Sequence, residues 1–348
     1  MRYANFAIHP KETHLLVTIR EDHTNDPTRT TPQNVVYTLC IVDTKTTAVG
    51  VLTRGADFYA SPVFNPSGNK IAWQEWNLPD MPWEGGIIYV ADVITSGGTF
   101  GISNQVRVAG EKTNVSATFP SWINDTTLLY TSDETVKFQN PYIFDTNEQQ
   151  SKPILNSQTP SRDRDFAEPA WWLGLYPYAI LGGGKYGAFT AFEDGKNILF
   201  VIDLEGFSEP VQIKNFDFAV AQHLRPVDTD TFVFTGSGSS SPGGVILGKI
   251  QGSSGTYTAK FDVLKRSLEP SPLEKYISSP IYKPLTAPSD NHKIYTVYYG
   301  PYNPEYSGSS IYGEKPPCII NAHGGPTGLE SQGLNWTKMY YTSRGFAW

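Results

Sequence analysis

The chain has 348 residues, more than one ordinary domain, and a formal net charge of −7 with 18% charged and 13% aromatic residues. That balance excludes the basic stripe of a nucleic-acid surface, so no nucleic-acid partner is expected. Gly (31) and Pro (26) are plentiful. With apolar runs of Tyr, Phe, Val, Ile and Thr, they predict a mainly β protein of short strands and tight turns.

The N-terminus, MRYANFAIHPKE, has no apolar signal region, and no stretch approaches a membrane span, so no membrane partner is expected. Cys40 and Cys318 both sit in apolar, strand-like runs. They predict reduced core thiols, hence a reducing, cytoplasmic setting.

From its first residues the chain repeats. Five segments open with an aromatic or apolar strand and a turn: 3–14, 60–70, 117–127, 175–185 and 221–231. A second strand follows each at once, at 15–22, 71–78, 128–135, 188–195 and 232–239. A third, usually closing on Asp, comes at 35–43, 87–93, 140–145, 197–203 and 245–250. Weaker fourth strands are read at 48–55, 106–111 and 210–215. A period of about 45–60 residues with length differences in the loops is the behaviour of four-stranded propeller blades. A pair of β-sandwiches is the plainer alternative. Five units either close a ring alone or form most of a larger one. The chain opens directly on a first strand, which favours further blades upstream.

Residues 252–258 and 267–280 lose the repeat and read as linker. Two strands follow, at 282–288 and 293–306, then a Gly/Ser/Pro loop. The apolar run Cys318-Ile319-Ile320 is expected to be a buried strand delivering a glycine turn at His323-Gly324-Gly325-Pro326. A short helix ending at Gly345 and a new strand from Phe346 close the chain.

A set of landmarks then carries a resemblance: RYANF (2–6), Arg20-Glu21-Asp22-His23, Met81-Pro82-Trp83-Glu84-Gly85, Tyr302-Asn303-Pro304, HGGP (323–326) and Thr342-Ser343-Arg344-Gly345. The chain resembles a prolyl oligopeptidase-family serine peptidase, closest to the acylaminoacyl-peptidase and dipeptidyl aminopeptidase-like branch. The resemblance implies a partial β-propeller of about five four-stranded blades (1–270), followed by the first strands of an α/β-hydrolase catalytic domain (271–348). It implies short peptide substrates and acyl transfer to serine, and it is compatible with an oligomer of the full-length parent. It also implies truncation at both ends: further propeller before Met1, and the G-x-S-x-G elbow, Asp and His after Trp348.

The candidate site is therefore the oxyanion loop alone. The resemblance assigns a backbone N–H to Gly325, with Gly324 beside it; glycine lets main chain approach a substrate oxygen closely. His323 is expected to orient the loop, since the base of this fold follows the nucleophile. No nucleophile, acid or base is read in the chain, and it is expected to be inactive alone. No cofactor is expected, and the remaining histidines lack metal-ligand spacing. Glu21-Asp22-His23, at a strand end before a polar loop (Thr24–Thr31), reads as contacting a substrate amine or, more simply, as a solvated loop or blade-to-blade hydrogen bonding. Trp73, Trp76 and Trp83 with Met81 read as inter-blade packing, and Glu84-Gly85-Gly86 as a hairpin turn. A non-catalytic propeller that binds proteins or peptides is the alternative from a different class.

Overall fold

The computed structural model describes residues 1–24, 34–96, 99–156, 158–159, 162–206, 208–269, 271–325 and 327–348. The polar loop expected up to Thr31 lies, beyond Thr24, outside the described residues, as does Pro326 of the glycine turn.

Among the described residues the protein is mainly β, with five four-stranded sheets of consecutive strands and one two-stranded sheet. Sheet 1 comprises β1 (Arg2–Ile8), β2 (Leu15–Asp22), β3 (Val36–Asp43) and β4 (Val49–Arg54). Sheet 2 comprises β5 (Phe58–Phe64), β6 (Lys70–Trp76), β7 (Ile87–Ser96) and β8 (Thr99–Ala109). Sheet 3 comprises β9 (Ala117–Trp122), β10 (Thr127–Ser132), β11 (Asn140–Asp145) and β12 (Gln150–Pro153). Sheet 4 comprises β13 (Tyr178–Leu181), β14 (Tyr186–Glu193), β15 (Lys196–Asp203) and β16 (Val211–Gln212). Sheet 5 comprises β17 (Val220–Asp228), β18 (Thr231–Ser237), β19 (Gly244–Gln251) and β20 (Thr258–Arg266). The pair β21 (Pro280–Thr286) and β22 (Lys293–Tyr299) follows. No described helix is long and apolar enough to cross a membrane.

The chain divides into two compact units, Met1–Gly187 with Ile202–Pro210, and Ala188–Val201 with Val211–Trp348. In the first, the alternation of β-strand side chains sorts sheet 2 between two cores. Ile71, Trp73 and Ala91 pack with Val17, Ile19, Leu39 and Ile41 of sheet 1. Ala72, Ile88 and Val90 pack with Leu128, Tyr130, Tyr142 and Phe144 of sheet 3. Register maintains this sorting: Ile71 faces Ala91, and Ala72 faces Val90, across the β6–β7 ladder. The repeated turn is a second joint. In Asn65–Lys70 the Asn65 carboxamide accepts from the Lys70 N–H at 3.0 Å and donates to the Asp125 carbonyl at 3.0 Å. Asp125 lies in the corresponding turn of sheet 3, and its carboxylate takes the Ser67 N–H at 2.7 Å. In the second unit, Phe216, Phe218, Phe234 and Phe261 form an aromatic cluster with ring centroids 5.1–6.2 Å apart.

Three expectations change. Glu84-Gly85-Gly86 is no hairpin turn: Pro82–Gly85 forms a one-turn helix, α1, whose Glu84 carboxylate accepts the Met81 N–H at 2.9 Å. Proline suits a first helical position, and the acid satisfies an orphan donor there. Strands β12 and β20 are additional to the fourth strands expected; QSKP carries no apolar run, and TAKFDVLKR alternates but lies at a sheet edge, where lysine is common. Cys40 is buried as expected, but Cys318 is exposed.

Trp73 is fully buried, stacks on Tyr89 at 5.8 Å and donates its indole N–H to Glu75 at 2.9 Å. Trp73→Ala should lower unfolding free energy by about 3–5 kcal/mol, read from urea titration. Burial raises the Glu75 carboxyl above its ordinary 4.5, against the lowering effect of the Trp73 bond. Below 4.5 the group is protonated folded and unfolded, so it carries no penalty there. As pH rises towards the raised value the unfolded chain ionises first, and stability falls. Glu75→Gln, which keeps an acceptor for the indole, should therefore gain stability over the parent at neutral pH and lose that gain in acid; titrations at both pH values check the sign.

Candidate functional site

In the second unit the run expected to open a new strand at Phe346 pairs on both sides. The Tyr299 N–H and carbonyl bond the Trp348 carbonyl and N–H at 2.8 and 2.9 Å. On its other side the same segment pairs in parallel with the run before the turn, through Ala347 N–H to Pro317 (2.8 Å) and Ile319 N–H to Ala347 (2.9 Å). The order is β21, β22, residues 346–348, then residues 317–319. The crossover between the two parallel neighbours carries helix α2 (Trp336–Thr342).

Helix α2 starts where Asn335 accepts the Thr337 and Lys338 N–H groups at 2.9 and 3.3 Å. It ends with Gly345 at φ +91°, where the Phe346 N–H reaches the Tyr341 carbonyl at 3.2 Å and the two rings lie 5.8 Å apart. This closure, with its apolar contact, is a Schellman motif, which favours glycine for its left-handed φ. Met339 is buried, and its sulfur accepts the Ser278 N–H at 3.2 Å.

His323, Gly324 and Gly325 follow in an exposed loop. Gly325 has φ +78°, and a Cβ on either glycine would meet nothing within 4 Å. Among the described residues the Gly325 N–H has no partner in the chain. The His323 ring nitrogen Nδ1 lies 3.4 Å from the Gly324 carbonyl, and Gly328 lies so close to this ring that a Cβ would stand 2.4 Å from Nδ1. The run before the turn is not the buried strand expected: Ile320 is 91% exposed, and pairing is confined to one side of 317–319. Apolar composition predicts burial only where another layer covers the strand, and among the described residues of this unit none does so.

Lys338, Glu330 and Asn321 form a cluster at the stems of the turn that the motif patterns do not mark. Lys338, on α2, has a side chain only 4% exposed and places Nζ 2.6 Å from Glu330 Oε1. It also donates to the Ser331 carbonyl at 3.0 Å and lies 4.8 Å from the centre of the Tyr299 ring. The other Glu330 oxygen accepts from the Asn321 side chain at 2.9 Å. Burial, with the Glu330 charge nearby, pushes the Tyr299 phenol up to about 12.

The other landmarks meet in pairs. Tyr302 N–H reaches the Thr342 carbonyl at 3.0 Å, and the Asn303 amide the Ser343 carbonyl at 2.9 Å. Together they border a cleft of about 1250 Å³, lined also by Tyr276, Tyr306 and Arg344. Lys315–Pro317 line it too, so it opens before the 317–319 run, whereas the glycine turn follows that run. In the first unit Arg2 and His23 flank Glu21 at 3.5 and 3.0 Å. Burial alone would raise the Glu21 carboxyl; hydrogen bonds from His23 and Tyr37 and nearby positive charge bring it below its ordinary value. Trp73 is a core residue, Trp76 stacks on Phe58 at 5.2 Å, and Trp83 lies against Trp171 at 4.4 Å.

No protein-family profile and no curated protein matches the chain. Solved structures do. A puromycin-hydrolysing peptidase of Mycobacterium tuberculosis is 28% identical and superposes with a TM-score of 0.82, over 99% of this chain and 50% of that one. A puromycin hydrolase is 24% identical with TM-score 0.82, over 99% and 49%. Prolyl oligopeptidase B of Galerina marginata shares the fold at 10% identity and TM-score 0.61, over 85% and 38%. The chain is structurally similar to puromycin-hydrolysing peptidases and shares its fold with prolyl oligopeptidases. It spans about half the length of the puromycin-hydrolysing peptidase.

Gly345 tests the closure that places residues 346–348. Gly345→Ala forces a Cβ onto a left-handed φ and should cost about 1–2 kcal/mol, seen as a lowered thermal midpoint.

Proposed function

We propose that the chain is the propeller and the opening of the catalytic domain of a serine peptidase that cleaves short peptides. The five sheets are its blades, residues 1–270, and residues 271–348 begin an α/β-hydrolase sheet. The observation that carries the reading is the strand order of the second unit: two parallel neighbours joined through α2, with the glycine turn directly after the first of them. In open α/β sheets ligands bind outside the carboxyl ends of the strands, and the turn follows such an end. The likeness to a puromycin-hydrolysing peptidase over 99% of the chain supports the same reading.

In this reading the Gly325 N–H stabilises the oxyanion that develops when a serine attacks a peptide carbonyl. Gly324 lets the main chain approach, and His323 steadies the turn through its own ring. The nucleophile, acid and base are supplied by chain beyond these 348 residues, and the branch is that of acylaminoacyl-peptidases and dipeptidyl aminopeptidase-like enzymes.

A serine-reactive phosphonate tests the proposal. The 348-residue chain should remain unlabelled; a reading frame continued past the Trp348 codon should reach G-x-S-x-G, label at one serine and hydrolyse aminoacyl or peptidyl naphthylamides. Stoichiometric labelling of the 348-residue chain would place a nucleophile inside it and overturn the assignment. A continued protein that neither labels nor hydrolyses would favour the peptide-binding module instead.

A further inference from the structure

Lys338 is a buried ammonium in a small unit, and stability alone does not account for it. Desolvating a charge is expensive, and replacing a buried ion pair with well-packed apolar side chains is often neutral or stabilising. What the pair does accomplish is geometric. Asn321 lies on the stem entering the glycine turn, and Glu330 on the stem leaving it. One carboxylate joins them, with Oε2 taking the Asn321 amide at 2.9 Å and Oε1 facing Lys338 at 2.6 Å. Lys338 is itself held on three sides, by Glu330, by the Ser331 carbonyl and by the face of Tyr299. The neck of the loop is thereby fastened to α2 and, through Tyr299, to β22.

The turn needs such a fastening. Gly324 and Gly325 stand in open space, and glycine tolerates many backbone conformations. The contact between His323 and Gly324 lies within the loop and fixes nothing outside it. The Gln332 side chain donates to the Asp194 carbonyl, which anchors the outgoing stem further along, but it leaves the incoming stem free. The bond between Asn321 and Glu330 is what closes the incoming stem on the outgoing one.

We propose that Lys338 is a positioning residue for the glycine turn: by presenting Glu330 to Asn321 it sets the pose of Gly324 and Gly325. Its catalytic consequence rests on the reading of Gly325 as an oxyanion donor; its structural content does not. A donor displaced by about 1 Å forfeits on the order of 10²-fold in rate.

The test has two arms. In the first, ¹⁵N relaxation of the Gly324 and Gly325 amides is measured in the 348-residue chain for the parent, Lys338→Met and Lys338→Arg. Methionine fills the slot without charge, so folding should persist while the two order parameters drop from about 0.85 to below about 0.6. Arginine, which still reaches a carboxylate, should restore them. Unchanged order parameters in a folded Lys338→Met chain would overturn the proposal. Should that variant not fold, Glu330→Gln removes the ion pair alone, and the same two signals decide.

In the second arm, hydrolysis by the continued protein should show kcat lowered by about 10²-fold in Lys338→Met with KM within about twofold, and recovery in Lys338→Arg. Loosened glycines with unchanged kcat would overturn the positioning role. If the parent itself hydrolyses nothing, the oxyanion reading fails, and the relaxation arm still decides the fastening.

Discussion

The structure depends on one constraint: a strand buried on both faces has no solvent side. In β6 the side chains of Ile71 and Trp73 enter one core and that of Ala72 the other, so sheet 2 is covered by sheets 1 and 3 at once. A four-stranded sheet of this kind cannot be stable as an isolated layer. The polar requirement is as strict as the apolar one. Every turn between first and second strands must satisfy its own backbone, and Asn65 does so while reaching Asp125 of the next sheet. Packing and turn chemistry thus repeat with the same period because they serve the same stack.

That constraint explains what the landmark motifs are for. Arg2 meets Glu21 across the β1–β2 ladder, and Asn5, at φ +57°, takes the Ser61 N–H of sheet 2 at 2.6 Å. The Pro82 carbonyl accepts the Ser116 hydroxyl at 2.7 Å where sheet 3 begins. Tyr302-Asn303 binds the end of α2. These short motifs are joints between elements. The residues that point towards chemistry, the two glycines after His323, are by contrast held by little of their own.

Most of the β architecture was legible in the residues, since apolar runs punctuated by Asn, Pro and Gly mark consecutive strands. Two edge strands escaped, β12 and β20: QSKP is polar throughout but for its proline, and β20 mixes lysines with apolar residues and needs no second covered face. The one-turn helix at Pro82 was hidden by its glycines, which suit a turn equally well. Cys318 and Ile320 read as buried because composition reports what a strand can cover, whereas exposure depends on whether a layer lies over it. The fastening around the turn was invisible for a different reason. A lysine on a short amphipathic helix reads as solvated, and only the fold reveals that it lies between Glu330 and Tyr299.

The insertion of residues 346–348 between β22 and residues 317–319 bears on how the protein is made. Sheets 1, 2 and 3 join consecutive strands, so each can zip up soon after it leaves the ribosome, with short loops to close. The Tyr299 main chain has to wait for Trp348, and the run at 317–319 for Ala347. Until that moment both expose unpaired backbone. Nascent chains of this protein should be vulnerable to misassociation until residues 346–348 are in place, and a holdase would find its binding site at those waiting edges.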